Sequence, residues 1–344
     1  MMASPAIEPP VAGTTTAADP TIIEIDPELV PGDNDSSLGD FSDELNSFTT
    51  SLSPSVTNYP LENGRRYHAF RPGVYVLPND EAELDRLDMT HFMLKKVIGD
   101  KLHLAPLPDT IKRVLDCGTG TGIWAIEMGE AHPAAEVLGN DFSPTQPTWV
   151  PPNVKFEVDD LESAWTYTAP FDFIFGRYLC CAIQDWPKLI KNAFNNTTPG
   201  GFIEFQDWNL KYHSEDGSLT EQHEVARWDQ IIIDLSSQNG REPNPGPLLE
   251  GWMKDAGFIN VVAKRHKLPI GPWAKDPKQK EIGLFNLCQI IDGLEGFSFR
   301  LMTQILKWSP EEVEVLCGKV RTELKSKGLH ALLDFWVCYG QKPE

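Results

Sequence analysis

The sequence predicts an α/β fold in which a mostly parallel β-sheet has helices on both of its faces. Two observations carry this prediction. Short apolar segments alternate with segments of helical periodicity, which is the pattern of successive strand–helix–strand units. In addition, the apolar segment that ends at Asp116 is followed by a glycine-rich turn and by the start of a helix at Ile123. The strands predicted in this part of the chain are 111–116, 135–139, 154–158, 171–175 and 202–205.

Two further strands and two helical insertions are predicted in the second half of the chain. Residues 258–266 form the sixth strand, and residues 332–340 form a last strand that pairs with it as an antiparallel hairpin. Helical patterns are found over about 209–257, before these two strands, and over about 273–328, between them. We expect these two insertions to form a cap over a substrate pocket.

Capping residues mark the start of two helices. Asn79 or Asp80 can cap a helix whose first turn is acidic. His91 lies on the apolar stripe of this helix, so we interpret it as a packing residue. Near the end of the chain, residues 309–312 read Ser-Pro-Glu-Glu, which is a capping box with proline at the first helical position.

Composition and charge restrict the class of protein. The chain has 344 residues, of which 41% are hydrophobic, and this is enough for one large domain or two small ones. The net charge of −20 argues against direct binding to nucleic acid phosphates. The six cysteines include no Cys-x-x-Cys pair, so no metal site is predicted and a reducing compartment fits best. No membrane span or signal peptide is predicted, and we expect a cytoplasmic protein, with a nuclear location as the alternative.

The first 57 residues differ in composition from the rest of the chain. They contain ten acidic residues, no Lys or Arg, and many Pro, Ser and Thr residues. Such a segment cannot bury enough apolar surface to offset the conformational entropy that ordering removes. We therefore predict a disordered acidic tail over 1–57 and a folded domain over 58–344.

The glycine-rich turn is the predicted site for a nucleotide-like ligand. Gly118, Gly120 and Gly122 follow Asp116 at alternate positions. Glycines let the backbone approach a ligand without a clashing Cβ, and the helix that follows presents free N–H groups. A dinucleotide-binding turn needs a glycine where this chain has Ile123, so a nucleotide-dependent oxidoreductase is disfavoured.

Asp141 is the candidate ligand for a ribose. It lies at the end of the second predicted strand, 19 residues beyond Gly122. An acidic residue in that place accepts hydrogen bonds from the ribose hydroxyls in dinucleotide-binding folds. The same chemistry applies to any ligand that contains adenosine.

Six short motifs occur along the folded part of the chain: ENGRRYH (62–68), LPNDE (77–81), GTGIWAIE (120–127), DFSPTQP (141–147), DWP (185–187) and PGG (199–201). On these motifs, residues 60–344 resemble the LaeA-type fungal methyltransferases, and the glycine turn resembles motif I of the class I S-adenosylmethionine (SAM) methyltransferases. This family often has Gly where the present chain has Cys117, which keeps a small residue at that position.

The resemblance implies a Rossmann-like class I methyltransferase fold with SAM as cofactor. Its seven strands have the order 3-2-1-4-5-7-6, with strand 7 antiparallel. In this fold an acidic side chain after the third strand accepts from the adenine amino group, and the next apolar residue packs on the ring. The residues after the fourth strand face the transferred methyl group. The cofactor-binding residues implied in this way are Asp116, Gly118, Gly120, Gly122, Asp141, Phe142, Asp160, Leu161 and Arg177.

The sequence does not identify a catalytic residue. Methyl transfer from a sulfonium is an in-line displacement in which the protein mainly supplies proximity and orientation. A general base helps only if the acceptor holds its proton at neutral pH. Candidates for such a base are His68, Tyr178, Asp207 and His213, and each has a structural or substrate-orienting interpretation as well.

Two functions are consistent with the resemblance. The first is a SAM-dependent methyltransferase that acts on a small molecule of fungal secondary metabolism. Trp208, Tyr212, Trp228 and Trp252 in and beside the first insertion favour it, because aromatic residues suit a substrate pocket. The second is a nuclear regulator of secondary metabolism that binds SAM and acts through a velvet-type protein partner.

Overall fold

The structure is a computed structural model that describes residues 17–18, 22–26, 59–70 and 77–344. The strands are β1 (Ala17–Ala18), β2 (Leu61–Glu62), β3 (Arg65–Arg66), β4 (Arg113–Cys117), β5 (Glu136–Asp141), β6 (Val154–Val158), β7 (Phe171–Arg177), β8 (Thr197–His213), β9 (Ile259–Pro269) and β10 (Leu332–Gln341). The α-helices are α1 (Glu81–Val97), α2 (Ile123–Ala131), α3 (Trp186–Asn196), α4 (Glu224–Gln238), α5 (Leu249–Ala256), α6 (Pro277–Leu301) and α7 (Pro310–Leu324). A 3₁₀ turn, Gly246–Leu248, precedes α5, and a π-helical turn, Met302–Leu306, follows α6.

The main sheet confirms the predicted strand order. Its eight strands have the order β1-β9-β10-β8-β7-β4-β5-β6. If β1 is left out and β4 to β10 are counted as strands 1 to 7, this order read from the opposite edge is the predicted 3-2-1-4-5-7-6. Strands β4 to β8 pair in parallel, and β10 is antiparallel to both β8 and β9. A parallel sheet of this kind places the carboxyl ends of β4, β5, β6 and β7 at one edge, where loops can form a ligand site.

Strand β8 is much longer than the predicted 202–205. Its pairing with the antiparallel β10 continues from Phe202 opposite Gln341 to His213 opposite Leu332. The ladder therefore extends through residues 206–213, whose mixed polar and aromatic composition hid the strand. As a consequence the first insertion begins after His213 rather than near residue 209.

Only part of the first predicted insertion belongs to the cap. Helix α5 packs against α3 beside the sheet, where Trp186 and Trp252 stack with ring centroids 5.4 Å apart and Met253 joins the same buried cluster as Leu189. Helix α4 instead packs with α6 and α7 in a separate apolar cluster. The indole Nε1 of Trp228 donates to Ser298 Oγ at 2.8 Å and joins α4 to α6.

The predicted helix starts are confirmed. The Asp80 side chain caps α1 by accepting from the Glu83 N–H at 3.1 Å. At the start of α7, Ser309 accepts from the Glu312 N–H at 3.3 Å, and the Glu312 carboxylate accepts from the Ser309 N–H at 2.8 Å. Both capping patterns are local in sequence, which is why the sequence alone located them.

Part of the predicted acidic tail contacts the folded domain. Residues 17–18 pair in parallel with β9. Residue Ile25 bridges Ala274, and the carboxylates of Glu24 and Asp26 form ion pairs with Lys275 and Lys280. For residues 22–26 the expectation of a disordered tail is therefore wrong, because the basic start of α6 attracts these acidic side chains. The remainder of 1–57 lies outside the described residues, and disorder there stays a prediction.

Within the described part of the chain, no helix combines the length and the apolar character that a membrane crossing requires. The same residues contain no cluster of three or more His, Cys, Asp or Glu side chains arranged to hold a metal ion.

Candidate active site

A cavity of about 140 Å³ lies at the carboxyl edge of the parallel strands, between the loops that follow β4, β5, β6 and β7 and the helix α1. We call it the cofactor cavity. Eight of the nine residues that the sequence assigned to cofactor binding line it. They are Asp116, Gly118, Gly120, Asp141, Phe142, Asp160, Leu161 and Arg177.

Gly122 is the ninth residue, and it does not line the cavity. It caps the start of α2 with a φ of 82°, a conformation that favours glycine. A Cβ at this position would lie 2.5 Å from Phe156 Cζ. The glycine is therefore required by packing behind the turn, which a spacing pattern cannot distinguish from ligand contact.

The glycine turn is held in place by Asp141. The Gly120 N–H donates to Asp141 Oδ2 at 2.9 Å, and the Ser143 N–H donates to Asp141 Oδ1 at 3.0 Å. Burial raises the pKa of Asp141, while these backbone donors oppose the rise. Each carboxylate oxygen has a second lone pair, so Asp141 retains acceptor capacity towards the cavity.

The side of the cavity beneath the turn is formed by buried polar groups. Asp116 accepts a hydrogen bond of 2.5 Å from Thr119 Oγ1, and burial raises its pKa to about 7. The guanidinium of Arg177 lies 2.6 Å from His91 Nδ1. Burial lowers the pKa of Arg177 to about 10 and that of His91 to about 2. His91 is therefore neutral and accepts from Arg177 through Nδ1, while its Nε2 lies 3.2 Å from Glu127 Oε2.

His91 is a site residue that the sequence analysis assigned to packing only. It is buried on α1, as its place on the apolar stripe predicted, but it also lines the cofactor cavity. Its partner Arg177 is 86 positions away in the chain. Helical periodicity reports which face is buried, and it carries no information about a polar partner at that distance.

The remaining wall is apolar where the glycine turn faces the loop after β6. A Cβ on Gly118 would lie 2.6 Å from Leu179 Cδ2 and 3.9 Å from Leu161 Cδ1. Asp160 accepts from the Glu162 N–H at 2.9 Å and is itself buried. Leu161, Leu179 and the Asp160 carboxyl group therefore line the same side of the cavity.

A second cavity, of about 60 Å³, lies between the cap helices and the end of β8. We call it the cap cavity. It shares one wall residue, Tyr178, with the cofactor cavity. Tyr178 has a φ of 60°, which is uncommon for a residue with a side chain, and its N–H donates to Gln206 O at 3.0 Å. Of the four candidate bases, Tyr178 alone lines either of these two cavities.

Tyr178 is fixed from the other side by a buried ion pair. Arg86 Nη1 lies 3.4 Å from Tyr178 Oη and 2.9 Å from Gln289 Oε1. The same guanidinium binds both carboxylate oxygens of Glu83, at 2.9 and 2.6 Å. Glu83 belongs to the cofactor cavity and Gln289 to the cap cavity. Arg86 therefore connects α1, the cap helix α6 and the residue between the two cavities.

The other three candidate bases have structural contacts. His68 stacks on Phe142 with ring centroids 5.7 Å apart. Asp207 accepts from the backbone N–H groups of Leu179, Cys180 and Trp208 at 2.7, 3.3 and 2.9 Å, so it shapes the loop after β7. His213 Nε2 lies 3.3 Å from Asp334 Oδ1.

Comparison with known proteins identifies the family. Residues 89–263 match a family model described as a methyltransferase domain. The chain is 45% identical over 295 residues to the methyltransferase PytC of Aspergillus terreus, a match that covers 86% of this chain and 91% of PytC. It is 33% identical over 276 residues to the probable methyltransferase TdiE of Emericella nidulans, covering 79% of this chain and 87% of TdiE.

A third relative is the protein-methionine methyltransferase LaeA of Emericella nidulans. The identity is 30% over 308 residues, and the match covers 85% of this chain and 80% of LaeA. The confirmed strand order and the cavity at the carboxyl edge of the sheet agree with these matches. The chain belongs to the LaeA-type fungal methyltransferases, which are class I SAM-dependent enzymes of secondary metabolism.

Proposed function

We propose that the methyl acceptor of this enzyme is a small molecule and that the acceptor is held in the cap cavity. The observation that carries the proposal is the shared wall between the two cavities. Tyr178 lines both of them, so a ligand in the cap cavity lies next to a ligand in the cofactor cavity. Proximity and orientation of this kind are the protein's main contribution to a methyl transfer.

The cofactor cavity has suitable partners for each part of SAM. Asp141 would accept from the ribose hydroxyls, and Asp160 would accept from the adenine amino group, with Leu161 and Leu179 against the ring. Below the turn, Arg177 supplies a guanidinium and Asp116 a buried carboxyl group whose pKa is raised to about 7. When bound, SAM supplies an electrophilic methyl group.

The chain's own residues position the two ligands and exclude water. Leu87 and Phe142 cover the cofactor cavity with apolar surface, and Arg86 holds the Tyr178 ring in place from α1. His68, Asp207 and His213 line neither cavity. His68 stacks on the wall residue Phe142, Asp207 accepts from backbone N–H groups of the loop after β7, and His213 lies beside Asp334. We therefore propose orientation by Tyr178 rather than proton abstraction by any of these three groups.

The alternative is a regulatory role. LaeA is named a protein-methionine methyltransferase, and another relative, LAE1 of Cochliobolus heterostrophus, is named a secondary metabolism regulator. If the present chain acts in the same way, its acceptor is a protein, and the chain acts in a complex with a velvet-type partner. Both matches cover 295 residues, but the identity is 45% to PytC and 33% to LAE1, so the chain is more similar to the relative named a methyltransferase.

Comparison of metabolites between a deletion strain and its parent distinguishes the two functions. We expect one compound to lose a single methyl group in the deletion strain, and we expect the wild-type gene to restore it. A strain that carries Gly120→Val serves as the control for dependence on the cofactor cavity. Loss of many unrelated metabolites, with no demethylated compound, would contradict the small-molecule acceptor.

A further inference from the structure

The wall of the cap cavity is largely aromatic and apolar. Among the described residues that line it, none is Lys, Arg or His, and the only acidic one is Asp229. The apolar lining residues are Leu77, Trp208, Leu210, Trp228, Ile232, Ile290, Phe297, Leu301 and Leu333. An anionic ligand would lose its hydration here without meeting a positive charge, which is strongly unfavourable.

Two polar groups in this wall have no hydrogen-bond partner among the residues that the structure describes. They are the Trp208 Nε1–H and the Ser236 hydroxyl, and both belong to residues no more than 2% exposed. A buried donor without a partner is unfavourable, and such groups are rare in folded proteins. A ligand that supplies the missing partner would relieve this cost.

Asp229 is the acidic residue of the wall, which also contains Gln289 and the tyrosines Tyr178 and Tyr212, and it is 3% exposed. Its Oδ2 accepts from the Tyr212 N–H at 3.0 Å, which fixes the carboxyl group against the end of β8. Burial raises the pKa of Asp229 to about 7, and the nearby Lys211 opposes the rise. Its neighbours in the cavity wall on the same helix, Trp228 and Ile232, are apolar.

We propose that the cap cavity binds an uncharged, ring-bearing part of the acceptor that carries a hydroxyl or N–H group, which Asp229 accepts, while Trp208 and Ser236 bind a neighbouring oxygen. This inference rests on the proposed function and gives it a substrate class. Carboxylates, phosphates and purely hydrocarbon groups are outside that class. Ser236 and Asp229 lie on the same helix, so one element presents both groups.

Binding of three small probes tests the proposal on the full chain with S-adenosylhomocysteine present. The probes are phenol, toluene and benzoate, which have one ring each and differ in the group attached to it. We expect calorimetry to show phenol binding at least about tenfold more tightly than toluene, which corresponds to the loss of one good hydrogen bond. Benzoate is expected to bind more weakly than both.

Variants on α4 assign the preference to particular groups. Asp229→Asn keeps an oxygen for the Tyr212 N–H but replaces the remaining acceptor by an amide, so the preference for phenol should fall by about tenfold. Ser236→Ala is expected to reduce it by a smaller factor. Asp234→Asn is the matched control, because Asp234 is an exposed acid on the same helix, and it should leave all three affinities unchanged.

The outcomes separate the inference from the proposed function. If phenol and toluene bind equally to the wild-type chain, or if Asp229→Asn keeps the preference, the proposed substrate class is wrong while the cavity still accepts a ring. If benzoate binds most tightly, the charge argument is wrong. If no probe binds, the cap cavity is not an acceptor site, and the proposed function fails with it.

Discussion

Gly120 and Asp141 are joined by a hydrogen bond of 2.9 Å, so each supports the other in forming the cofactor cavity. The two residues nevertheless act through different physical effects. Gly120 has a φ of 58°, where a residue with a Cβ is strained. Asp141 supplies charge and acceptor oxygens. Substitutions at the two positions should therefore reduce SAM binding for different reasons.

Gly120→Val is expected to abolish SAM binding and to lower the melting temperature. The β-branched side chain strains the backbone and projects into the cofactor cavity towards Leu87, whose Cδ1 lies 3.7 Å from an added Cβ. Calorimetry measures the loss of binding. Gly217→Val is the control, because Gly217 has a φ of 78° and no atom within 4 Å of an added Cβ. It should lower stability while SAM affinity stays normal.

Asp141→Ala is expected to weaken SAM binding by roughly tenfold to a few hundredfold, because charge-assisted hydrogen bonds contribute on the order of 1.5–3 kcal/mol each. The melting temperature should also fall, since the N–H groups of Gly120 and Ser143 lose their acceptor. Asp141→Asn retains an acceptor oxygen and should have the milder effect on stability. Wild-type SAM affinity in both Gly120→Val and Asp141→Ala would place the cofactor in a different cavity.

Residue-scale features differ in how far the sequence can predict them. The glycine turn and Asp141 have a fixed spacing, so the sequence places them together, and the structure has them in one cavity. The contacts of His91 with Arg177 and of Arg86 with Gln289 join residues 86 and 203 positions apart. These contacts depend on how α1 packs against the end of β7 and against α6, and no local pattern specifies that packing.

At the scale of secondary structure, the capping box of α7 contributes to the stability of the cap. Ser309 and Glu312 satisfy each other's backbone N–H groups at the start of this helix. Ser309→Ala should lower the free energy of unfolding by about 1 kcal/mol, the usual contribution of an N-cap side chain. Urea denaturation measures the change. Glu314→Ala, an exposed change inside the same helix, is the control, and an equal loss in both variants would contradict a specific capping effect.

The boundaries of the cap show that sequence periodicity does not predict which surface a helix packs against. Helices α4 and α5 both have the pattern of a buried face, and the sequence predicted a single insertion for both. In the structure α4 joins the cap cluster and α5 joins the cluster beside α3. The two helices bury different surfaces because the 3₁₀ turn at Gly246–Leu248 redirects the chain between them. A Cβ on Gly246 would lie 2.9 Å from the Asp207 carbonyl oxygen, so this close approach needs glycine.

At the scale of the whole molecule, removal of residues 1–55 should leave SAM affinity unchanged and lower the melting temperature slightly. The described part of this segment contacts β9 and the start of α6, and none of it lines the cofactor cavity. Exposed ion pairs of this kind contribute little to stability. Removal of residues 1–16 is the control and should change neither quantity. A loss of SAM affinity in the longer deletion would show that the segment acts on the site.

The chain should become more stable as the pH falls from 8 to 6. Burial raises the pKa of Asp116, Glu204, Asp207 and Asp229 to about 7, above the ordinary range of these groups. The folded state therefore binds these protons more tightly than the unfolded state, and the stabilisation is lost as the pH rises through 7. Below pH 6.5 the neutral His91 opposes the gain, since its pKa is lowered to about 2.

Melting temperatures of the full chain without added cofactor measure this trend. Asp229→Asn removes one of the four groups and should reduce the dependence on pH without reversing it. A melting temperature that falls steadily between pH 8 and pH 6 would mean that these carboxyl groups are ionised in the folded state.

One tyrosine forms part of both cavities, and this has a consequence for how the enzyme meets its two ligands. The position of the Tyr178 ring is set jointly by the backbone after β7 and by Arg86, so a ligand on either side that shifts the ring changes the shape available on the other side. Binding free energies coupled in this way are reciprocal: whatever factor the cofactor adds to the affinity for the acceptor, the acceptor adds to the affinity for the cofactor. The retention or release of S-adenosylhomocysteine, the cofactor without its methyl group, then depends on which ligand occupies the cap cavity.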